Sequence, residues 1–93
     1  DLEAVPSAYV LDQNYPNPVN PSTTIRFAVP TDGRVRLRVF SVLGQEVATL
    51  VDGVVNAGWH TATFAGRDLT SGVYFYRLEV DGRQLTQKMM LVK

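Results

Sequence analysis

The sequence predicts an all-β chain, a sandwich of about seven short antiparallel strands. Three observations carry this. Apolar residues recur at every second position in several runs, the period of a half-buried strand. The seven glycines, at 33, 44, 53, 58, 66, 72 and 82, are read as falling at boundaries between runs, because glycine inside a strand costs entropy and packing. No stretch keeps a helical period with caps over ten residues.

Taken in order, residues 1–8 read as a linker from a preceding domain, and residues 9–93 as one domain. Pro6, Ser7 and Ala8 break any periodic pattern, and Tyr9-Val10-Leu11 offers a short first strand. Gln13 to Ser22 follows, with prolines at 16, 18 and 21. Each fixes φ and removes a backbone donor, so the segment is neither helix nor central strand. Its asparagines can bond nearby backbone, which predicts a rigid loop. Thr23 to Val29 alternates, with Ile25, Phe27 and Val29 inward. Pro30-Thr31-Asp32-Gly33 turns the chain. Arg34 to Val39 alternates again, with Val35, Leu37 and Val39 inward and three arginines outward. After a turn at Val42 to Gln45, a strand is expected over Glu46–Val51. Asp52-Gly53 and Asn56-Ala57-Gly58 should then bracket a short excursion. Trp59 to Phe64 follows, with His60, Ala62 and Phe64 on one face. The closing pair is Gly72–Val80 and Arg83–Lys93, joined by Asp81-Gly82, a dipeptide that accepts the φ > 0 of a tight hairpin. Tyr74, Tyr76 and Leu78 should face the core and Phe75 should face out beside Phe40. Lacking a Cys…Trp…Cys pattern, the outline is immunoglobulin-like without being of the antibody type.

The totals exclude several functions. The 93 residues suit one core. Nine basic and nine acidic residues cancel, so no global field steers nucleic acid to the chain. No cysteine is present, which removes disulfides and thiolate chemistry. No apolar run approaches the roughly 18–20 residues of a membrane-spanning helix. The start, Asp1-Leu2-Glu3, lacks a basic signal-peptide region; the chain reads as a fragment whose export signal lies elsewhere.

A search for chemistry finds no set. His60 is the only histidine, so a zinc site lacks partners. No nucleophile-elbow spacing surrounds Ser7, Ser22, Ser41 or Ser71. His60 therefore reads as structural, half-buried at the start of a strand. The loops carry single carboxylates without calcium-loop spacing, and no cofactor or metal is implied. Arg26, Arg36, Arg38 and Arg77 are predicted outward on strands. They read either as a patch for an anionic partner or, preferably, as a solvated face paired to Glu46 and Glu79. Trp59 reads as cover for a core edge before it reads as a sugar platform.

The run Gln13-Asn14-Tyr15-Pro16-Asn17-Pro18-Val19-Asn20-Pro21-Ser22-Thr23-Thr24-Ile25-Arg26-Phe27 resembles the opening of the type IX secretion system C-terminal sorting domains, the immunoglobulin-like type A tails of the Por secretion system. The likeness continues through Val42-Leu43-Gly44-Gln45-Glu46-Val47, Ala57-Gly58-Trp59-His60, Leu69 to Leu78, and Lys88-Met89-Met90-Leu91-Val92-Lys93. Val19 stands where the family usually carries phenylalanine, which weakens one packing contact. The resemblance implies a non-catalytic tag that takes a folded cargo from the periplasm through an outer-membrane translocon. A surface sortase then removes the tag and commonly joins the cargo to anionic lipopolysaccharide. By the resemblance, the signal elements fall on Pro16, Asn17 and Pro18, on Gly72 and Tyr74, and on Lys88, Met89, Met90, Leu91, Val92 and Lys93. The final strand should be an edge with a free end that a partner can pair with, and an edge also offers a route to a homodimer. Two other roles suit such a sandwich: a carbohydrate-binding or spacer module of a polysaccharide-degrading enzyme, and a scaffold of the flagellar hook-cap kind.

Overall fold

The computed structural model describes residues 5–93, so the first half of the expected linker lies outside the described residues. Seven strands follow in order: β1 (Val10–Leu11), β2 (Ser22–Val29), β3 (Gly33–Ser41), β4 (Glu46–Val55), β5 (Gly58–Ala65), β6 (Gly72–Val80) and β7 (Arg83–Leu91). One sheet has the order β1-β2-β5 and the other β4-β3-β6-β7. Every pairing between neighbouring strands is antiparallel. The two sheets pack as the expected sandwich.

Period-2 alternation builds the core. Ile25, Phe27 and Val29 of β2 and Phe64 of β5 meet Val35, Leu37 and Val39 of β3, Tyr74, Tyr76, Leu78 and Val80 of β6, and Met89 and Leu91 of β7. Burying each of the larger side chains contributes roughly 1.5–3 kcal/mol. The closing hairpin turns as expected, with φ of 39° at Asp81 and 79° at Gly82. Phe75 faces outward, directly opposite Phe40 in the register of β3 and β6.

One expectation fails. The chain does not turn at Asp52-Gly53; β4 runs on to Val55, so Gly53 lies inside a strand, opposite Val35. Two features allow this. β4 is an edge strand, where glycine is best tolerated. The Asp52 carboxylate takes a hydrogen bond from the Arg34 guanidinium on β3 at 2.7 Å, instead of capping its own backbone.

The sandwich has two distinct ends. At the entry end, Tyr9 borders a cleft with Asp32, Gly33, Val80 and Asp81, and Ala57 N donates to Asp32 Oδ1 at 2.7 Å. At the far end lie the proline loop, the Ser41–Gln45 turn, the β5–β6 connection and Leu91–Lys93. Lys93 N donates there to Ser71 Oγ at 3.1 Å, and Gly66 N to Pro21 O at 2.8 Å. A nine-residue strand such as β6 separates the ends by about 30 Å at ~3.3 Å per residue.

Candidate functional site

The proline loop is fixed from within and then fastened to β7. Asn14 is buried, and its amide donates to Pro16 O and Thr23 Oγ1, both at 3.1 Å. Thr23 Oγ1 donates in turn to Pro16 O at 2.8 Å. Tyr15 and Thr24 exchange backbone hydrogen bonds at 3.0 and 2.9 Å. Local bonds of this kind suit a segment whose prolines cannot enter a ladder.

Beyond Pro18 the loop reaches the terminal strand. Val19 N donates to Met90 O at 2.7 Å, Val92 N donates to Val19 O at 2.9 Å, and Val19 pairs with Leu91 in a parallel bridge. Met90 N donates to Asn17 Oδ1 at 3.1 Å, and Gln13 Nε2 donates to Lys88 O at 2.7 Å. Gln87 Nε2 reaches Leu11 O at 2.9 Å. β7 is thus an edge strand, yet around Lys88 to Val92 its outer edge is occupied by the loop. This corrects the expectation of a free end for strand addition: the groups that would pair with a partner already bond Asn17, Val19 and Gln13.

The sites named from the sequence therefore meet in part. Pro16, Asn17 and Pro18 lie exposed beside the last turn of β7. Met89 and Leu91 point into the core, whereas Lys88, Met90, Val92 and Lys93 are exposed. Gly72 pairs with Leu91, and Tyr74 with Met89. Tyr74 is buried and donates its hydroxyl to Thr70 O at 2.8 Å, holding the β5–β6 connection. Tyr76 is fully buried, and its hydroxyl donates to Asp12 O at 2.6 Å. Burial pushes this phenol up to about 12, with the nearby Asp12 charge adding in the same direction.

Three of the four candidate arginines share one face. Arg36 and Arg38 of β3 and Arg77 of β6 converge on Glu79, with nitrogen–oxygen distances of 3.2, 2.5 and 3.5 Å. Arg38 also reaches Glu46 at 3.0 Å, and the Thr49 hydroxyl donates to the same carboxylate. The hydrogen bond from Arg38, reinforced by Arg36 and Arg77, holds the Glu79 carboxyl below the usual range against the opposing effect of burial. Glu46 is lowered chiefly by the Thr49 hydroxyl and then by Arg38. The guanidinium groups of Arg38 and Arg77 also lie over the Phe40 ring, at 5.1 and 4.3 Å from its centroid. Arg26 belongs elsewhere: it lies on β2 in the other sheet, 3.8 Å from Asp12 and 3.9 Å over the Trp59 ring. The four do not form one patch, and Arg26 covers one face of the Trp59 ring.

His60 is half-buried, stacked on Phe27 with ring centroids 5.3 Å apart, and its Nε2 lies 2.7 Å from Asn56 O. Among the described residues no three His, Asp or Glu side chains gather as a metal site. Sequence reasoning missed Gln13 and Val19 as fasteners. The preferred reading of the arginines as a face paired to Glu46 and Glu79 holds for Arg36, Arg38 and Arg77.

Fold and site together define a class: an immunoglobulin-like β-sandwich with a proline loop locked onto its terminal strand. Residues 13–93 match the family described as "Secretion system C-terminal sorting domain", and the chain belongs to it. It is a type IX secretion sorting signal, which places its parent protein among those sent to the cell surface or extracellular space. No curated protein and no solved structure matches the chain.

Proposed function

We propose that this domain carries no catalytic step and is read, as a folded unit, by the outer-membrane translocon during passage from the periplasm. A surface sortase then detaches it from its passenger, which is joined to anionic lipopolysaccharide. The observation that supports this most is the fastening of Asn17 and Val19 to Met90 and Val92. Pro16, Asn17 and Pro18 of the loop and the exposed Met90, Val92 and Lys93 lie together at the end of the sandwich opposite Tyr9, with Gly72 and the buried Tyr74 paired behind them to Leu91 and Met89. The geometry does not favour direct lipopolysaccharide binding by Arg36, Arg38 and Arg77, because Glu79 and Glu46 already engage their charges.

The test is a fusion of residues 1–93 to the C-terminus of a periplasmic reporter in a host with this secretion system. Export of the reporter is expected; a reporter that stays periplasmic sinks the reading. Removing Met89–Lys93 would also strip Met89 and Leu91 from the core. The informative truncation therefore removes only Val92 and Lys93, which follow β7, and it should lower export while leaving the fold in place.

A further inference from the structure

The sandwich has four strand edges, β1 and β5 on the three-stranded sheet and β4 and β7 on the four-stranded one. An open edge is a template for another chain, and proteins blunt their edges with shortness, bulges, charges or cover. Three of the four are blunted. β1 is two residues long, and Gln87 Nε2 already bonds Leu11 O. β7 has the proline loop along Lys88 to Val92. β4 carries Glu46 and Asp52, and its register slips twice against β3, leaving Val47 and Leu50 without opposite residues.

β5 has none of these devices. It pairs with β2 at eight consecutive positions, from Gly58 opposite Val29 to Ala65 opposite Ser22, without a shift in register. Its other edge has no strand beside it. From Gly53 to Gly66 the chain contains no Asp, Glu, Lys, Arg or Pro. Thr61, Thr63 and Ala65 are exposed on the outer face of the strand. β4 and β5 follow one another across Asn56-Ala57 and touch, so they border the same side of the sandwich. There Val47, Leu50, Val51, Val55 and Ala62 pack on the core yet are only half-buried.

We infer that β5 pairs antiparallel with β5 of a second copy of this chain, joining the two three-stranded sheets into one continuous sheet. The inference stands apart from the sorting reading above. Charge and symmetry select a copy of this chain as the occupant. Nine basic and nine acidic residues cancel, so two copies approach without net repulsion. A register centred on Ala62 sets Thr61 opposite Thr63, His60 opposite Phe64 and Trp59 opposite Ala65, each pair formed twice. Threonine and aromatic pairs of this kind are favourable across strands, and no like charges meet. The one cation on the neighbouring strand, Arg26 opposite Thr61, lies over the Trp59 ring, and Arg67 falls beyond the end of β5. A charged strand from another protein finds no counter-charge on β5. A two-fold interface requires a patch that complements itself, and the half-buried apolar residues beside β5 meet their own kind across the axis.

The purified chain is followed by sedimentation equilibrium as its concentration is raised to about 1 mM. A monomer–dimer equilibrium is expected, with a dissociation constant on the order of 10–100 μM, as for a small interface. Amide exchange should slow along β5 as concentration rises, and not along β4 or β7. Thr61→Lys and Thr63→Glu should each weaken dimerisation by at least about fivefold, because like charges then sit diagonally across the axis. An equimolar mixture of the two variants should recover it, since the introduced charges of opposite sign then face each other. Thr24→Lys, exposed on the same sheet face but one strand inward, should dimerise like the parent. All three variants should melt within about 2 °C of the parent when dilute, as most exposed substitutions do. A parent chain that stays monomeric at about 1 mM, where even weak pairing shows, overturns the inference and leaves the edge to a strand of another protein. A dimer that Thr61→Lys and Thr63→Glu leave intact, or whose slowed amides lie on β4 or β7, overturns it as well. A mixture that fails to recover overturns the register centred on Ala62.

Discussion

Val19→Ala tests whether the proline loop belongs to the core or merely lies on it. Val19 is fully buried between prolines at 18 and 21. The substitution removes two methyl groups and leaves its backbone bonds to Met90 and Val92 available. Lost transfer energy is about 0.8 kcal/mol per group, and incomplete collapse of the cavity adds to it. A total of about 2–3 kcal/mol is expected, which for a domain of this size lowers the melting temperature by about 10 °C or more. Urea unfolding followed by Trp59 fluorescence supplies the free energy. Amide exchange supplies the location, because the Val92 amide, bonded to Val19 O, should exchange faster than amides in the middle of β6. A loss under about 0.5 kcal/mol, the size of ordinary surface changes, would refute the claim that the loop is part of the folded unit.

Three further outcomes are expected. The Tyr76 phenol is raised from 10.0 to about 12 by burial, so its contribution is whole below pH about 10 and is lost between about 10 and 12; Tyr76→Phe should cost about 1 kcal/mol near neutrality and flatten that alkaline loss, as followed by melting against pH. Glu79 is held below the usual carboxylate range, so its contribution is present above the unfolded value of about 4.3 and disappears as pH falls through the lower folded value; Glu79→Gln should lower the melting temperature at pH about 7, with the gap to the parent closing in acid. Gly82→Val should cost about 1–3 kcal/mol by forcing a β-branched residue to the positive φ of the hairpin turn, whereas Gly82→Asn, which tolerates that region, should melt close to the parent.

Most of the fold was legible because alternation is a local signal. Ile25, Phe27 and Val29, or Tyr74, Tyr76 and Leu78, announce a buried face without knowledge of their neighbours. The end of β4 was not legible, since Asp52-Gly53 has the composition of a turn and only the presence of Arg34 across the ladder gives Asp52 another partner. The arginines show the same limit. Parity put Arg26, Arg36, Arg38 and Arg77 outward, but only the strand order puts β2 in a different sheet from β3 and β6. The candidate site was named by resemblance, yet its central feature escaped. The bonds from Val19 to Met90 and Val92 join backbone groups more than 70 positions apart, and backbone groups leave no mark in composition.

That fastening explains how one strand serves both core and surface. Along β7, Met89 and Leu91 point inward while Lys88 and Met90 point out. A slip of one residue would exchange the two sets, placing Met90 and a lysine toward the core. The hairpin turn at Asp81-Gly82 sets register at the opposite end of the strand, where β7 begins at Arg83, eight residues before Leu91. Near its end, register is held by Asn17 and Val19, which bond Met90 of β7 and Val92 just beyond it. The loop therefore decides which terminal side chains are displayed. A lesion confined to Asn17 or Val19 should alter what the far end presents even where β7 keeps its own sequence, so the loop and the strand act as a single address.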